Sequence, residues 1–457
     1  MKENLKIGVS GVRGVVGASF SPQLAISFAE AFGTLVGRGA VLIGRDTRPS
    51  GPMVEHAVVA GLMAVGCTPV LAGVVPTPTL LYLVRSCAAR GGIMITASHN
   101  AASWNALKFV DRHGMFLPPD QIDELLDIYH QQDFPWAQES DLRRSLALNP
   151  GDTAVHFDRV ESYVDASAIR AAGFRVAVDC CNGVGALHSP PFLRERFSCD
   201  LIAIHDQVHG EFEREPEPLP EHLGALSDAV RENMCAVGFA QDPDGDRLAV
   251  VNEKGEPIGE AQTVALALRA VLQLHGKGTV AVNYSAGKAI EEMAQTYGSS
   301  VVRARTGEVY VSETMLASGA VAGGEHTGGI IVPAVHMCRD SYTGMALILE
   351  LMARTGRTIS DLCNDIPRYH LVKDKIPMDA GHAPAMLRAV RKYFAGERMS
   401  FEDGIVVDFG DRWVQVRRSH TEPVLRIIAE APQREAAEQL MTDVQQLLQA
   451  SRVRSSC

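Results

Sequence analysis

Three aspartates alternate in the stretch DPDGDR, placing Asp242, Asp244 and Asp246 within five residues of chain. At an effective dielectric of ~20, two like charges 4 Å apart cost about 4 kcal/mol, and a divalent cation between them reverses that sign. Hard oxygen donors with coordination positions left over suit Mg²⁺, which keeps room for water or a phosphate oxygen. Two other readings stand beside this one. An EF-hand loop would use Glu253 at its twelfth position, but its sixth must be glycine and here is Arg247. An acidic surface turn needs no metal at all.

A second stretch, GGIMITASHNAASWNALKF at 91–109, sets Ser98, His99 and Asn100 side by side after the apolar run Ile93-Met94-Ile95. A hydrolase nucleophile would sit in a G-x-S-x-G elbow, which is absent, and His99 is poorly placed to act as base for its own neighbour. A phosphoryl acceptor fits better, because Ser98 then needs only a cation and positive side chains to stabilise the transferring charge. The stretch RRSHTEP at 417–423 has the opposite electrostatics to the aspartate loop. Arg417, Arg418 and the hydroxyls of Ser419 and Thr421, with Arg426 just beyond, form a phosphate cradle if they converge, or else a solvated hairpin turn. In GGEHTGG at 323–329 the glycines permit close backbone approach, and Glu325 and Thr327 could hold sugar hydroxyls. Arg13, Lys108 and the GRDTR stretch at 44–48 add positive charge that could meet phosphate.

The elements that must position these loops follow an alternating pattern. Ser21 is placed to cap a helix beginning at Pro22, with apolar residues at Leu24, Phe28, Ala31 and Leu35 and a stop at Gly37. An apolar strand ending in a polar or Gly-rich loop then recurs at 40–51, 174–185, 235–247, 279–287 and 320–329, the unit of a wound α/β domain whose ligands bind at strand ends. The stretch 210–223 is a proline-rich acidic loop, and the last ninety or so residues change character, with two or three antiparallel strands over 405–431 followed by a helix over 433–450. We place domains at 1–150, 151–254, 255–368 and 369–457.

Composition limits the function classes. A chain of 457 residues exceeds what one core usually organises. Its net charge of −11 argues against a nucleic-acid binder. The nine cysteines show no metal spacing, and the adjacent pair Cys180-Cys181 reads as buried thiols. The N-terminus lacks a signal-peptide core, and no run approaches the ~18 apolar residues of a membrane span, so a cytoplasmic protein without membrane partners is expected.

Taken together, the motifs resemble those of the α-D-phosphohexomutase superfamily of phosphoglucomutases, phosphomannomutases and phosphoglucosamine mutases. GVSGVRG is similar to its G-T-S-G-x-R-G, TASHNAASWNALK to T-A-S-H-N-P-x-x-x-N-G-x-K, DPDGDR to D-x-D-G-D-R, GEHTGG to G-E-x-S-G-H, and RRSHTEP to R-x-S-x-T-E-P. The resemblance implies three similar α/β domains and a smaller, mobile α+β C-terminal domain around a central cleft. It implies that Ser98 carries phosphate as phosphoserine, and that Asp242, Asp244, Asp246 and the phosphoserine bind one Mg²⁺. Arg13, His99, Lys108 and Arg247 would line the transfer centre. Glu325 and Thr327 would hold the sugar, and Arg417, Ser419, Thr421 and Arg426 the non-reacting phosphate. The activity implied moves phosphate between the 6- and 1-positions of a hexose or hexosamine phosphate, with a sugar bisphosphate as activator, in a monomer or homodimer.

Three departures qualify the resemblance. Ala101 stands for the family proline, Ala106 for its glycine, and Gly329 for a histidine considered an acid/base candidate. Proton transfer would then fall to Lys108, His99 or water. The Gly-Gly ending of the sugar loop resembles the archaeal-type phosphoglucosamine mutases, which favours glucosamine phosphate. The same departures motivate a rival, a sugar-phosphate-binding protein without turnover. A phosphatase using the same metal site is a third reading.

Overall fold

The computed structural model describes residues 5–8, 11–378, 383–419 and 424–454. These pack as two compact units, one drawn from 1–275 and 327–363, the other from 276–326 and 364–457.

In the first unit the opening helix, Pro22–Val36, forms where its caps dictate. The Ser21 hydroxyl accepts the Leu24 N–H at 3.2 Å, and Gly37, at φ 75°, ends the helix. Its buried face is carried by Ala25, Phe28, Ala29, Ala31 and Phe32, while Leu24 and Leu35 lie half-buried at the margin. The helix lies against a seven-stranded mixed sheet in the order Lys6–Gly8, Gly11–Val15, Trp104–Val110, Gly91–Ile95, Ala40–Arg45, Thr68–Val74, Leu146–Ala147. Ala40–Arg45 and Gly91–Ile95 run parallel as neighbours. Their following loops therefore leave the same end of the sheet side by side.

A second sheet of this unit orders Leu248–Val251, Val237–Gln241, Arg175–Asp179 and Asp200–Ile204. The aspartate loop joins Val237–Gln241 to its antiparallel neighbour Leu248–Val251. The acidic stretch 210–223 is irregular apart from one short turn, Pro220–His222. It is fastened by Arg214, whose Nε donates to Asp179 Oδ2 at 2.8 Å and Nη2 to the Gln241 carbonyl at 2.6 Å. A hairpin, Gly329–Val332 with His336–Arg339, leads into the helix Ser341–Thr355. Cys180 and Cys181 are fully buried, and burial pushes the Cys181 thiol up to about 12.

The second unit holds the parallel strands Val301–Ala304, Val280–Asn283 and Ala322–Glu325. It also holds an antiparallel sheet ordered His370–Pro377, Val424–Ala431, Trp413–Arg418, Ile405–Asp408, Arg398–Ser400. The stretch 405–431 supplies three of these antiparallel strands, as expected, and His370–Pro377 and Arg398–Ser400, which carry too little apolar alternation to be recognised alone, complete the five. Its core joins Val414, Val416, Leu425 and Ile427 to Leu440, Val444 and Leu448 of the helix Arg434–Arg454. Among the described residues no helix is long and apolar enough to cross a membrane.

Candidate active site

Ser98 has a left-handed backbone, φ 48°, uncommon for a residue with a side chain. What holds it there lies below the loop. Thr96 Oγ1 accepts the Ser98 N–H at 3.0 Å and donates to Asp46 Oδ2 at 2.6 Å. Arg48, 1% exposed, sends Nη2 to the carbonyls of Ser98 at 2.7 Å and Asn100 at 2.6 Å. The GRDTR stretch therefore does not offer Arg48 to phosphate as expected. Its guanidinium is spent on backbone carbonyls and on Asp46, 3.4 Å away. Motif spacing could not reveal this, since an arginine reads the same whether it faces solvent or the underside of a loop.

The aspartate loop turns on Gly245, at φ 72°, with the Gly245 N–H donating to the Asp242 carbonyl at 3.1 Å. All three aspartates are fully buried, and one carboxylate oxygen from each lies within 4.8 Å of the others. Ser98 Oγ donates to Asp242 Oδ2 at 2.7 Å. Asp242 Oδ1 accepts the N–H groups of Asp246 and Arg247. Asp244 Oδ2 accepts from Thr77 Oγ1 and Lys108 Nζ, each at 2.7 Å. Asp246 Oδ2 accepts from Arg339 Nη2 at 2.5 Å. The Oδ1 atoms of Asp244 and Asp246 are buried without a hydrogen-bond partner, which fits a hard cation held among the three carboxylates.

The electrostatics agree. Burial, with Asp244 and Asp246 beside it, pushes Asp242 well above the usual carboxylate range, so three ionised carboxylates here require a cation. Burial alone would raise Asp244 too, but the Lys108 charge and hydrogen bonds from Asp242, Lys108 and Thr77 hold it down. Lys108, despite burial, is raised by Asp244 and Asp246 and stays an ammonium. His99 Nδ1 lies 3.5 Å from Ser98 Oγ, and burial together with the Arg247 and Arg13 charges pushes this imidazole down to about 2, so it is neutral. Arg13 Nη1 donates to Asn100 Oδ1 at 3.3 Å, and Arg247 Nη1 to Glu217 Oε1 at 2.7 Å. The first unit thus gathers Ser98, His99, Lys108, Arg13, Arg247 and the three aspartates. Thr327 belongs to the same unit, its Oγ1 buried without a hydrogen-bond partner. Beside it the Gly328 carbonyl accepts the Leu248 N–H at 3.3 Å.

In the second unit Arg417 and Arg426 face each other across antiparallel strands, on one face of the sheet, where like charges destabilise unless an anion joins them. Arg417 is 8% exposed and its Nε has no hydrogen-bond partner. Burial lowers its pKa, Asp403 and Glu325 oppose that and Arg426 adds to it, so Glu325 lies close enough for its charge to act on Arg417. Glu325 Oε1 accepts the Gly307 N–H at 2.8 Å, and the Ser419 N–H donates to the Val424 carbonyl at 2.9 Å. Thr421 lies outside the described residues. Thr77, Asp46 and Arg339 were missed by the motifs because each reaches the site through pairing distant in sequence, and Thr96, two residues from Ser98, because its hydroxyl's partner Asp46 is fifty positions away.

The chain matches four families in order: phosphoglucomutase/phosphomannomutase α/β/α domain I over residues 4–136, domain II over 154–255, domain III over 260–369, and the C-terminal domain over 372–447. It is 38% identical to a probable phosphoglucosamine mutase of Methanopyrus kandleri, covering 95% of each chain. It is 32% identical to a phosphoglucomutase/phosphomannomutase of Thermococcus kodakarensis, covering 95% of this chain and 96% of that one. A solved phosphoglucomutase/phosphomannomutase family protein from Burkholderia thailandensis superposes with a TM-score of 0.85 at 25% identity, over 97% of this chain and 96% of that one. The chain belongs to the phosphoglucomutase/phosphomannomutase family, with three α/β domains and a smaller C-terminal domain. It is a phosphohexomutase, an intramolecular phosphotransferase of the isomerase class.

Proposed function

We propose that the enzyme interconverts glucosamine 6-phosphate and glucosamine 1-phosphate through a phosphorylated Ser98. The observation that carries the reading is the hydrogen bond from Ser98 Oγ into the buried aspartate triad. Asp242, Asp244, Asp246 and a phosphoserine oxygen would hold one Mg²⁺, which when bound supplies charge neutralisation for the phosphoryl group. The bond from phosphorus to Ser98 Oγ breaks as one forms to the free sugar hydroxyl, whose proton ends on the freed Ser98 Oγ, the state in which that hydroxyl donates to Asp242. The resulting sugar bisphosphate turns over and returns its other phosphoryl group to Ser98. A sugar bisphosphate added from outside primes the same cycle.

Lys108, Arg13 and Arg247 are fixed positive charges for the transferring group. Lys108 stays protonated beside Asp244, so it stabilises charge rather than accepting the proton. Neutral His99 adds a hydrogen-bonding ring nitrogen beside Ser98 without adding charge. Arg417, Arg426, Ser419 and Thr421 grip the non-reacting phosphate, while Glu325 and Thr327 read sugar hydroxyls. These residues fall in four functional segments, 1–150, 151–254, 255–368 and 369–457.

The choice of sugar is supported by the 38% identity to a probable phosphoglucosamine mutase. The relative named phosphoglucomutase/phosphomannomutase, at 32%, supports glucose and mannose phosphates as the second reading. The test is kcat/KM on the three sugar 6-phosphates with a bisphosphate activator present, together with intact mass of the protein. Glucosamine phosphate should be preferred, and a fraction of the protein should be heavier by one phosphate lost on Ser98→Ala. Equal or greater preference for mannose or glucose phosphate rejects the assignment.

A further inference from the structure

Arg339 ends the strand His336–Arg339, and its side chain folds back over Gly329. A Cβ built at position 329 would stand 2.3 Å from Arg339 Cδ and 2.8 Å from Cγ. The arginine stem and any side chain at 329 therefore exclude each other. At the other end, Nη2 meets Asp246 Oδ2, while Asp246 Oδ1 is buried without a hydrogen-bond partner, 3.9 Å from Arg247 Nε. Arg339 is 9% exposed, so its charge is little screened by solvent. That charge lies close enough to act on those of Lys108 and Arg247.

We propose that Arg339 is a positioning residue that sets the charge of the transfer centre, and that position 329 is glycine because the Arg339 stem fills that space. The charges can be followed residue by residue. Lys108 pairs with Asp244 and Arg339 with Asp246, while Arg247, paired with Glu217, also lies 3.9 Å from Asp246 Oδ1. Arg339 thus adds one positive charge beside the triad whether or not a cation is bound. Without Arg339 the site is more negative by one charge. Arg339 therefore weakens metal binding and strengthens the hold on a phosphoryl group, two effects of opposite sign.

This rests on the proposed metal and phosphoserine, and the test separates the two ideas. Mn²⁺ affinity is measured on unphosphorylated protein by electron paramagnetic resonance. The fraction of Ser98 phosphorylated by glucose 1,6-bisphosphate at saturating Mg²⁺ is read by intact mass. Arg339→Met should bind Mn²⁺ roughly three- to tenfold tighter and hold roughly tenfold less phosphoryl group. Arg339→Lys should stay near wild type in both. Gly329→Ala should reproduce both shifts by displacing the stem, yet change little further in the Arg339→Met background. A merely structural role would weaken both kinds of binding and lower the melting temperature. Mn²⁺ affinity that is unchanged or weaker in Arg339→Met overturns the proposal. If wild-type protein takes up no phosphoryl group on Ser98, the proposed function fails while the Mn²⁺ comparison still decides the role of Arg339.

Discussion

Ser98 Oγ and Asp242 Oδ2, 144 residues apart in sequence, are 2.7 Å apart in space and both buried. The serine hydroxyl is thereby aimed at the aspartate triad, so a phosphoryl group on it would meet whatever cation those carboxylates hold.

Removing that hydroxyl should separate chemistry from binding. Ser98→Ala is expected to lose more than about nine-tenths of turnover while sugar-phosphate affinity stays within a few-fold, since the phosphate grip is assigned to other residues. Activity and calorimetric binding on one preparation check this, and substantial turnover without the serine would remove Ser98 from its role.

Asp244→Asn deletes one carboxylate of the proposed metal site and the partner of Lys108. Mg²⁺ affinity and kcat should fall together, by roughly tenfold or more. A metal titration of activity, alongside a chelator control, provides the measurement. Activity indifferent to chelator would refute the metal assignment.

Arg48→Leu should act on stability as well as rate. It strips the charged donor from two loop carbonyls and leaves buried Asp46 without its cation, a loss of about 3 to 5 kcal/mol by analogy with other broken buried pairs. Denaturant unfolding measures the stability, and a wild-type midpoint would show that the loop does not depend on this arginine.

Recognition should divide between two residues of the second unit. Arg417→Ala is expected to raise KM for every sugar phosphate, because a charge-assisted bond is worth roughly 1.5 to 3 kcal/mol, or about ten- to over a hundredfold. Glu325→Ala should instead change the ranking among glucosamine, glucose and mannose phosphates. If the first variant reorders the sugars and the second lowers all of them equally, the roles are exchanged.

Thiol labelling offers a check on packing alone. Burial pushes Cys181 up to about 12 and raises Cys180 well above the ordinary thiol range, whereas Cys87 is exposed. At pH 8 a thiol reagent should modify Cys87 within minutes and leave the adjacent pair untouched until the protein unfolds. Mass mapping of the labelled peptides decides it.

The local groups of this enzyme were legible in its sequence because their chemistry is carried by neighbours along the chain. The alternating aspartates of 242–246, the Ser98 loop and the arginines at 417 and 426 each present a composite group within a few residues, and the caps at Ser21 and Gly37 set the first helix by short-range hydrogen bonds and a left-handed glycine. The partners that give those groups direction were not legible. Arg48 under Ser98, Thr77 and Lys108 on Asp244, and Arg339 on Asp246 join residues between 50 and 167 positions apart. Such pairings follow from which strands lie side by side, and strand order depends on the summed packing of whole sheets. The sequence alone thus singled out the side chains proposed to bind metal and phosphate. Only the tertiary structure decided which cation faces which carboxylate, because Coulomb energy depends on distance and burial rather than on order along the chain.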